Sequence, residues 1–138
     1  MIEQFSTGFY TALTANTALN TKLGTSTGIK KVYNTMAPQT ATLPYLVYGL
    51  LTDMPMGDFA DQATIENMTF YINCFSSTSV ANVMQIADLV KTAMDDVTLT
   101  ITDYTAMICM REFTGNVNYD TDNKVYSLSL RYRVQGSK

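Results

Sequence analysis

Apolar residues open the chain at Ile2, Phe5, Phe9 and Leu13, with Ala12 on the same flank. Steps of three and four draw one stripe down a helix, predicted over about residues 2–14. Gly8 lies inside it and weakens it by about 1 kcal/mol relative to alanine. Asn16 can cap a short second helix carrying Ala18, Leu19 and Leu23, which Gly24 ends. Gly24 to Gly28 reads as a small-residue turn and Ile29 to Asn34 as a short strand. Pro38 and Pro44 bracket an irregular link. Proline fixes its own backbone angle and pushes the preceding residue to an extended shape, so Leu43-Pro44 is a strand entry. Tyr45 to Leu51 is apolar on both faces, the mark of a central or doubly covered strand.

Met54 to Asn67 is a long link without periodicity, rich in Pro, Gly, Asp and Asn. Alternation then returns. Met68, Phe70, Ile72 and Cys74 interleave with Thr69, Tyr71 and Asn73, a half-buried strand. Ser76 to Ser79 offers helix caps, and Val80, Val83, Ala87, Val90 and Met94 mark one face of a helix over about residues 79–95. Asp95-Asp96 falls at its C-terminal end, where the helix dipole disfavours negative charge. Val97 to Thr102 and Thr105 to Phe113 read as further strands. Asn116 to Asn123 is a polar turn. In Lys124 to Val134, Tyr126, Leu128, Leu130, Tyr132 and Val134 face one side while Ser127, Ser129, Arg131 and Arg133 face the other. The runs around this turn predict a long hairpin. The fold class is α+β: a single layer of mixed, largely antiparallel sheet with two main helices packed on one face. One domain is expected over residues 1–135, with 136–138 a disordered tail.

Composition narrows the function more than the fold. The chain has 138 residues, 46% of them apolar, and a formal charge of −3. No apolar run approaches the roughly 18–20 residues that span a bilayer, and the first residues lack the layout of a secretion signal. Folding in a cytoplasm is expected, with no membrane partner. No cluster of cations exceeds Lys30-Lys31, so a sequence-independent grip on DNA or RNA, which needs several on one face, is not expected.

Histidine is absent, which removes the commonest general base and zinc ligand. Cys74 and Cys109 lie in strand-like apolar runs and read as buried reduced thiols. Ser-His and Cys-His nucleophiles are impossible. Asp120 to Asn123 reads as turn chemistry, since Asp and Asn bond their own backbone there and the Gly and closing Glu of a calcium loop are missing. No Gly-rich phosphate loop exists. No catalytic residue, cofactor or metal is therefore expected. Two features remain open to contact. Met54, Met56, Asp58, Phe59 and Asp61 lie in the long link, either folding back on their own sheet or forming an arm for a partner. Arg131 and Arg133 are either solvated or paired with acids of a neighbouring subunit.

Several motifs in order carry a resemblance: the stretch from Phe9 to Gly24, Val32-Tyr33, Ala37-Pro38, Leu43 to Tyr48, Phe70 to Ser76, Tyr119 to Tyr126 and Leu128 to Val134. Together they span nearly the whole chain. The chain resembles the tail-completion or tail-terminator proteins of long-tailed bacteriophages, including the tail-to-head joining proteins. It departs from them in a longer, Ser/Thr-rich link from Gly24 to Lys31 and in a Met-rich loop from Met54 to Asn67. The resemblance implies a non-enzymatic virion subunit, assembled in the host cytoplasm, that closes into a hexameric ring at the head-proximal end of the tail. The ring would meet the tail tube protein on one face and the head connector or stopper on the other, with DNA passing through its lumen. Rival readings are another head–tail ring (a stopper or adaptor), the tube protein itself, and, from another class, a small-molecule binding module.

Overall fold

The computed structural model describes residues 2–26, 29–54 and 65–137. The first apolar stripe forms α1, Ile2–Thr14, with Phe5, Phe9 and Leu13 fully buried and Ile2 left exposed at its start. Asn16 accepts a hydrogen bond from the Leu19 amide at 2.9 Å and so starts α2, Thr17–Leu23. Gly24 ends α2 at φ 75°, a conformation that costs glycine little. Short strands β1, Thr25–Ser26, and β2, Ile29–Lys30, pair with each other.

The run expected as one strand from Ile29 to Asn34 is broken at Lys31, whose carbonyl accepts from the Leu46 amide. Beyond the break, β3, Val32–Asn34, lies parallel to β4, Tyr45–Asp53. Then follow β5, Ile65–Ser76; α3, Val80–Met94; β6, Thr105–Thr114; β7, Asn118–Asp120; and β8, Val125–Ser137. The main sheet is mixed and runs in the order β3-β4-β5-β8-β6, with β7 pairing on β8. The β3–β4 pair is parallel, and β4–β5, β5–β8, β6–β8 and β7–β8 are antiparallel. β4 is internal, as its two apolar faces require.

Alternation along β5 and β8 selects the core. Met68, Phe70, Ile72 and Cys74 of β5 and Leu128, Leu130, Tyr132 and Val134 of β8 are buried in one cluster with α1, α2 and α3. Phe9 is its hub, stacked on Phe70 at 4.6 Å between centroids and set edge-on to Tyr132 at 6.3 Å. Ser79 caps α3 by accepting from the Asn82 amide at 3.1 Å.

Val97 to Thr102 is not the strand its alternation suggests. Residues 97–100 have no strand pairing, and Ile101 meets Tyr104 across a tight turn. Leu99 and Ile101 are nevertheless buried. The segment lies instead against α1: a Cβ placed on Gly8 would come within 2.7 Å of the Thr100 carbonyl oxygen. Gly8 thus gives up helix propensity to let two backbones touch. The free side of β6 is also engaged at its middle, where the Asp96 amide donates to the Cys109 carbonyl at 3.1 Å. Covering an edge in this way blocks stray strand addition. At the other end of the chain, Gly136 and Ser137 are paired rather than trailing free, because β5 and β6 both extend far enough to bond them.

Candidate functional site

The side of the sheet turned away from the helices carries the candidate contact residues. On β8 it presents Ser127, Ser129, Arg131 and Arg133, set opposite Phe75, Asn73, Tyr71 and Thr69 of β5. All four β5 residues are half-buried. Aromatic contacts run across the far end of this face: Tyr33 meets Tyr45 at 5.8 Å, and Tyr45 meets Phe75 at 5.3 Å. In the middle, Ser129 Oγ donates to Asn73 Oδ1 at 2.6 Å. The face is therefore mixed, with rings at one edge and a hydrogen-bonded polar centre.

Both predicted arginines lie here. The Arg131 guanidinium sits 5.4 Å from the centre of the Phe113 ring, in reach of its negative face. Arg133 Nε donates to Glu112 Oε1 at 2.6 Å, and its Nη2 also contacts that oxygen. Each is engaged within its own chain. The long link is placed only at its ends. Met54 is exposed, with its amide donating to the Asn67 carbonyl at 2.8 Å. Met56, Asp58, Phe59 and Asp61 lie outside the described residues, and Ile65 to Asn67, expected in the link, belong to β5.

Three residues of this surface went unnoticed in the sequence: Met110, Glu112 and Phe113, all on β6. Met110 and Phe113 are about half exposed, at 47% and 50%. Counting outward from the predicted turn does not reach them correctly. β7 occupies the near part of β8, and β6 shifts register between Ala106 and Ile108 and again between Arg111 and Phe113. An alternating pattern loses its phase at each bulge.

Asp95, the first of the two acids at the end of α3, is held by two partners. Tyr132 Oη donates to Asp95 Oδ1 at 2.6 Å, and Arg111 Nη2 lies 3.6 Å from Asp95 Oδ2. These partners offset the unfavourable end of the helix dipole. Burial and the bond to Asp95 both push the Tyr132 hydroxyl upward, so it stays protonated and donating. Asp120 accepts from the amides of Asp122 and Asn123 and from Asn123 Nδ2. Those bonds favour its charged form and hold its carboxyl below the usual range. The turn is closed by its own side chains.

The two thiols among the described residues are not set up for bond chemistry. Burial pushes the thiols of Cys74 and Cys109 up to about 12, far from a reactive thiolate. Both cysteines are free and buried. Among the described residues no group of three or more His, Cys, Asp or Glu is placed to hold a metal ion. A cleft of about 490 Å³ lies between α3 and residues 114–117, but its charged residues, Asp88 and Lys91, pair with each other at 3.6 Å. Among the described residues no helix is long and apolar enough to cross a membrane.

The family model described as Tail completion protein gp17 matches residues 7–135. The chain belongs to that family. Family membership makes it a structural component of a phage virion tail, not an enzyme, and one that associates with other virion proteins. Among solved structures, a chain of one described as the virion of a native gene transfer agent (GTA) particle shares the fold. The TM-score is 0.74 at 16% identity, covering 94% of this chain and 92% of that one. No curated protein matches by sequence.

Proposed function

We propose that this tail-completion protein is a tail terminator: a ring, hexameric in the virion, that caps the head-proximal end of the tail tube. It stops tube growth and presents a surface to the head connector or stopper, and DNA passes through its lumen. The family match across residues 7–135 is the observation that carries this reading. Physical features agree with it. A heterologous interface closes into a ring when its rotation completes a circle. A charge of −3 on every subunit favours a lumen to which DNA does not adhere.

Met54, Met56, Asp58, Phe59 and Asp61 supply the first contact with a neighbour, the apolar members acting as anchors. Arg131 and Arg133 form a second, weaker contact. Their partners in the chain, Phe113 and Glu112, leave Arg131 exposed and only half cover Arg133, so neither is withdrawn from a neighbour.

Electron microscopy of the purified protein mixed with tail tubes tests the reading. A cap at one end of each tube is expected. Long filaments of the protein alone would assign it to the tube instead, and decoration of connectors without tubes would assign it to a stopper or adaptor. Replacing Met54, Met56 and Phe59 together by alanine should weaken capping without lowering the melting temperature. Unchanged capping discards the loop contact.

A further inference from the structure

Two carboxylic acids lie near each other at the open end of β4 and β5, where the strands lead into and out of the long link. Asp53 is the last residue of β4 and pairs in register with Met68. Glu66 lies two residues before Met68 on the same strand, so both side chains point to the helix-covered face. Glu66 is only 5% exposed. Opposite it on β8 stands Gly136, against which the Phe5 ring packs, so no side chain of β8 offers it a donor at that register position. Asp53 Oδ1 and Glu66 Oε2 are both buried, and neither has a hydrogen-bond partner. None of the described ion pairs includes either acid.

Two adjacent carboxylates in such a place cannot both keep their charge cheaply. Glu66 would lack hydration, the buried Oδ1 of half-buried Asp53 would lack a donor, and the two charges would repel each other. One proton between them converts that repulsion into a short, charge-assisted O–H···O bond. We propose that Asp53 and Glu66 share one proton in the folded protein and form an acid-stabilised clasp across the ends of β4 and β5. The groups facing Glu66 agree. Burial raises its carboxyl most, the negative charge of Asp53 on β4 raises it further, and the positive charge of the amino terminus pulls it down. β8 contributes Gly136 there, without charge.

The sign follows from linkage. A group whose protonated form is favoured by folding adds stability below its ordinary carboxylate range. That stability is lost as pH rises through its elevated value. The clasp therefore holds in acid and loosens towards neutral pH, opposite to the usual paired carboxylate.

The chain has three glutamates, Glu3, Glu66 and Glu112, so carboxyl-carbon NMR of glutamate-labelled protein can follow Glu66 directly. Glu66 should titrate above Glu3 and Glu112, and Asp53→Asn should move it downward. In parallel, the wild-type melting temperature should fall by several degrees between pH 5 and 8 relative to Glu66→Gln. Three glutamates titrating alike, a Glu66 titration that ignores Asp53→Asn, or parallel melting curves would each overturn the clasp. Because the NMR titration uses unaltered protein, a Glu66→Gln chain that fails to fold leaves the test intact.

Discussion

The two sides of β8 are built from the same thirteen residues and do opposite work. Leu128, Leu130, Tyr132 and Val134 enter a core shared with all three helices, where the largest rings are fully buried. One residue away each time, Ser127, Ser129, Arg131 and Arg133 meet polar groups, an exposed ring and solvent. The inner side fixes what the subunit is. The outer side carries the arginines proposed above for contact with a neighbour. A tail component needs both: a body that does not deform when pushed and a surface whose residues can change without unfolding it.

Removing the hub of the inner side should break that contrast most severely. Phe9→Ala deletes a fully buried ring that stacks on Phe70 and borders Tyr132. Loss of transfer energy plus the cavity left behind costs about 3–5 kcal/mol. Chemical denaturation should show this as a lower midpoint with little change in slope. An effect under about 1 kcal/mol would mean the helix layer is not tied to the sheet through Phe9.

Gly8→Ala sets two local rules against each other. Helix propensity alone favours the substitution by about 1 kcal/mol. The new Cβ, however, would lie 2.7 Å from the Thr100 oxygen, a backbone atom that cannot swing aside. Overpacking of this kind costs about 1–3 kcal/mol. Net destabilisation is expected, and thermal melting reads its sign directly. A stabilised variant would show that residues 97–102 do not rest on α1.

These two positions also mark how far the chain could be read before its fold was known. The core stripe of α1 from Phe5 onward, the cap of α3 and its face from Val83 onward, and the alternation of β5 and β8 were all legible, because each is a local period or a local cap; Val80, expected on that face, is exposed in the first turn of α3. Val97 to Thr102 was misread because its alternation is real while its partner is the α1 backbone, reached through a glycine some ninety positions earlier in the chain. The break at Lys31 and the parallel alignment of β3 with β4 are likewise set by pairing that no local pattern encodes. The candidate surface was half legible. Arg131 and Arg133 stood out from alternation, but Phe113 and Glu112 were hidden by two bulges in β6. The awkward charge of Asp95 was visible, whereas its partners Tyr132 and Arg111 lie on other elements.

Tyr132→Phe tests the boundary between the two sides, where a core ring carries a polar tip. The ring stays buried while the 2.6 Å bond to Asp95 is lost. Asp95 keeps Arg111 and is partly solvated, so a loss of about 1–1.5 kcal/mol is expected. The companion variant Asp95→Ala should cost slightly more, since it leaves the buried hydroxyl without its acceptor. Equal melting temperatures for wild type and Tyr132→Phe would remove this bond from the account of how the end of α3 is held.

Arg133→Ala should have the smallest effect, and for that reason it sharpens the comparison most. Its bond to Glu112 is short, yet the arginine side chain is 43% exposed. Exposed ion pairs give about 0.2–1 kcal/mol, because water solvates both charges well and ordering two long side chains costs entropy. A double-mutant cycle with Glu112→Gln should return a coupling in that range, and it should shrink in high salt. If the outer side serves contact rather than folding, the same substitution should reduce tube capping while leaving the melting temperature almost unmoved. A large loss of stability would instead make Arg133 part of the body of the subunit, and the division between the two sides of β8 would not hold at that position.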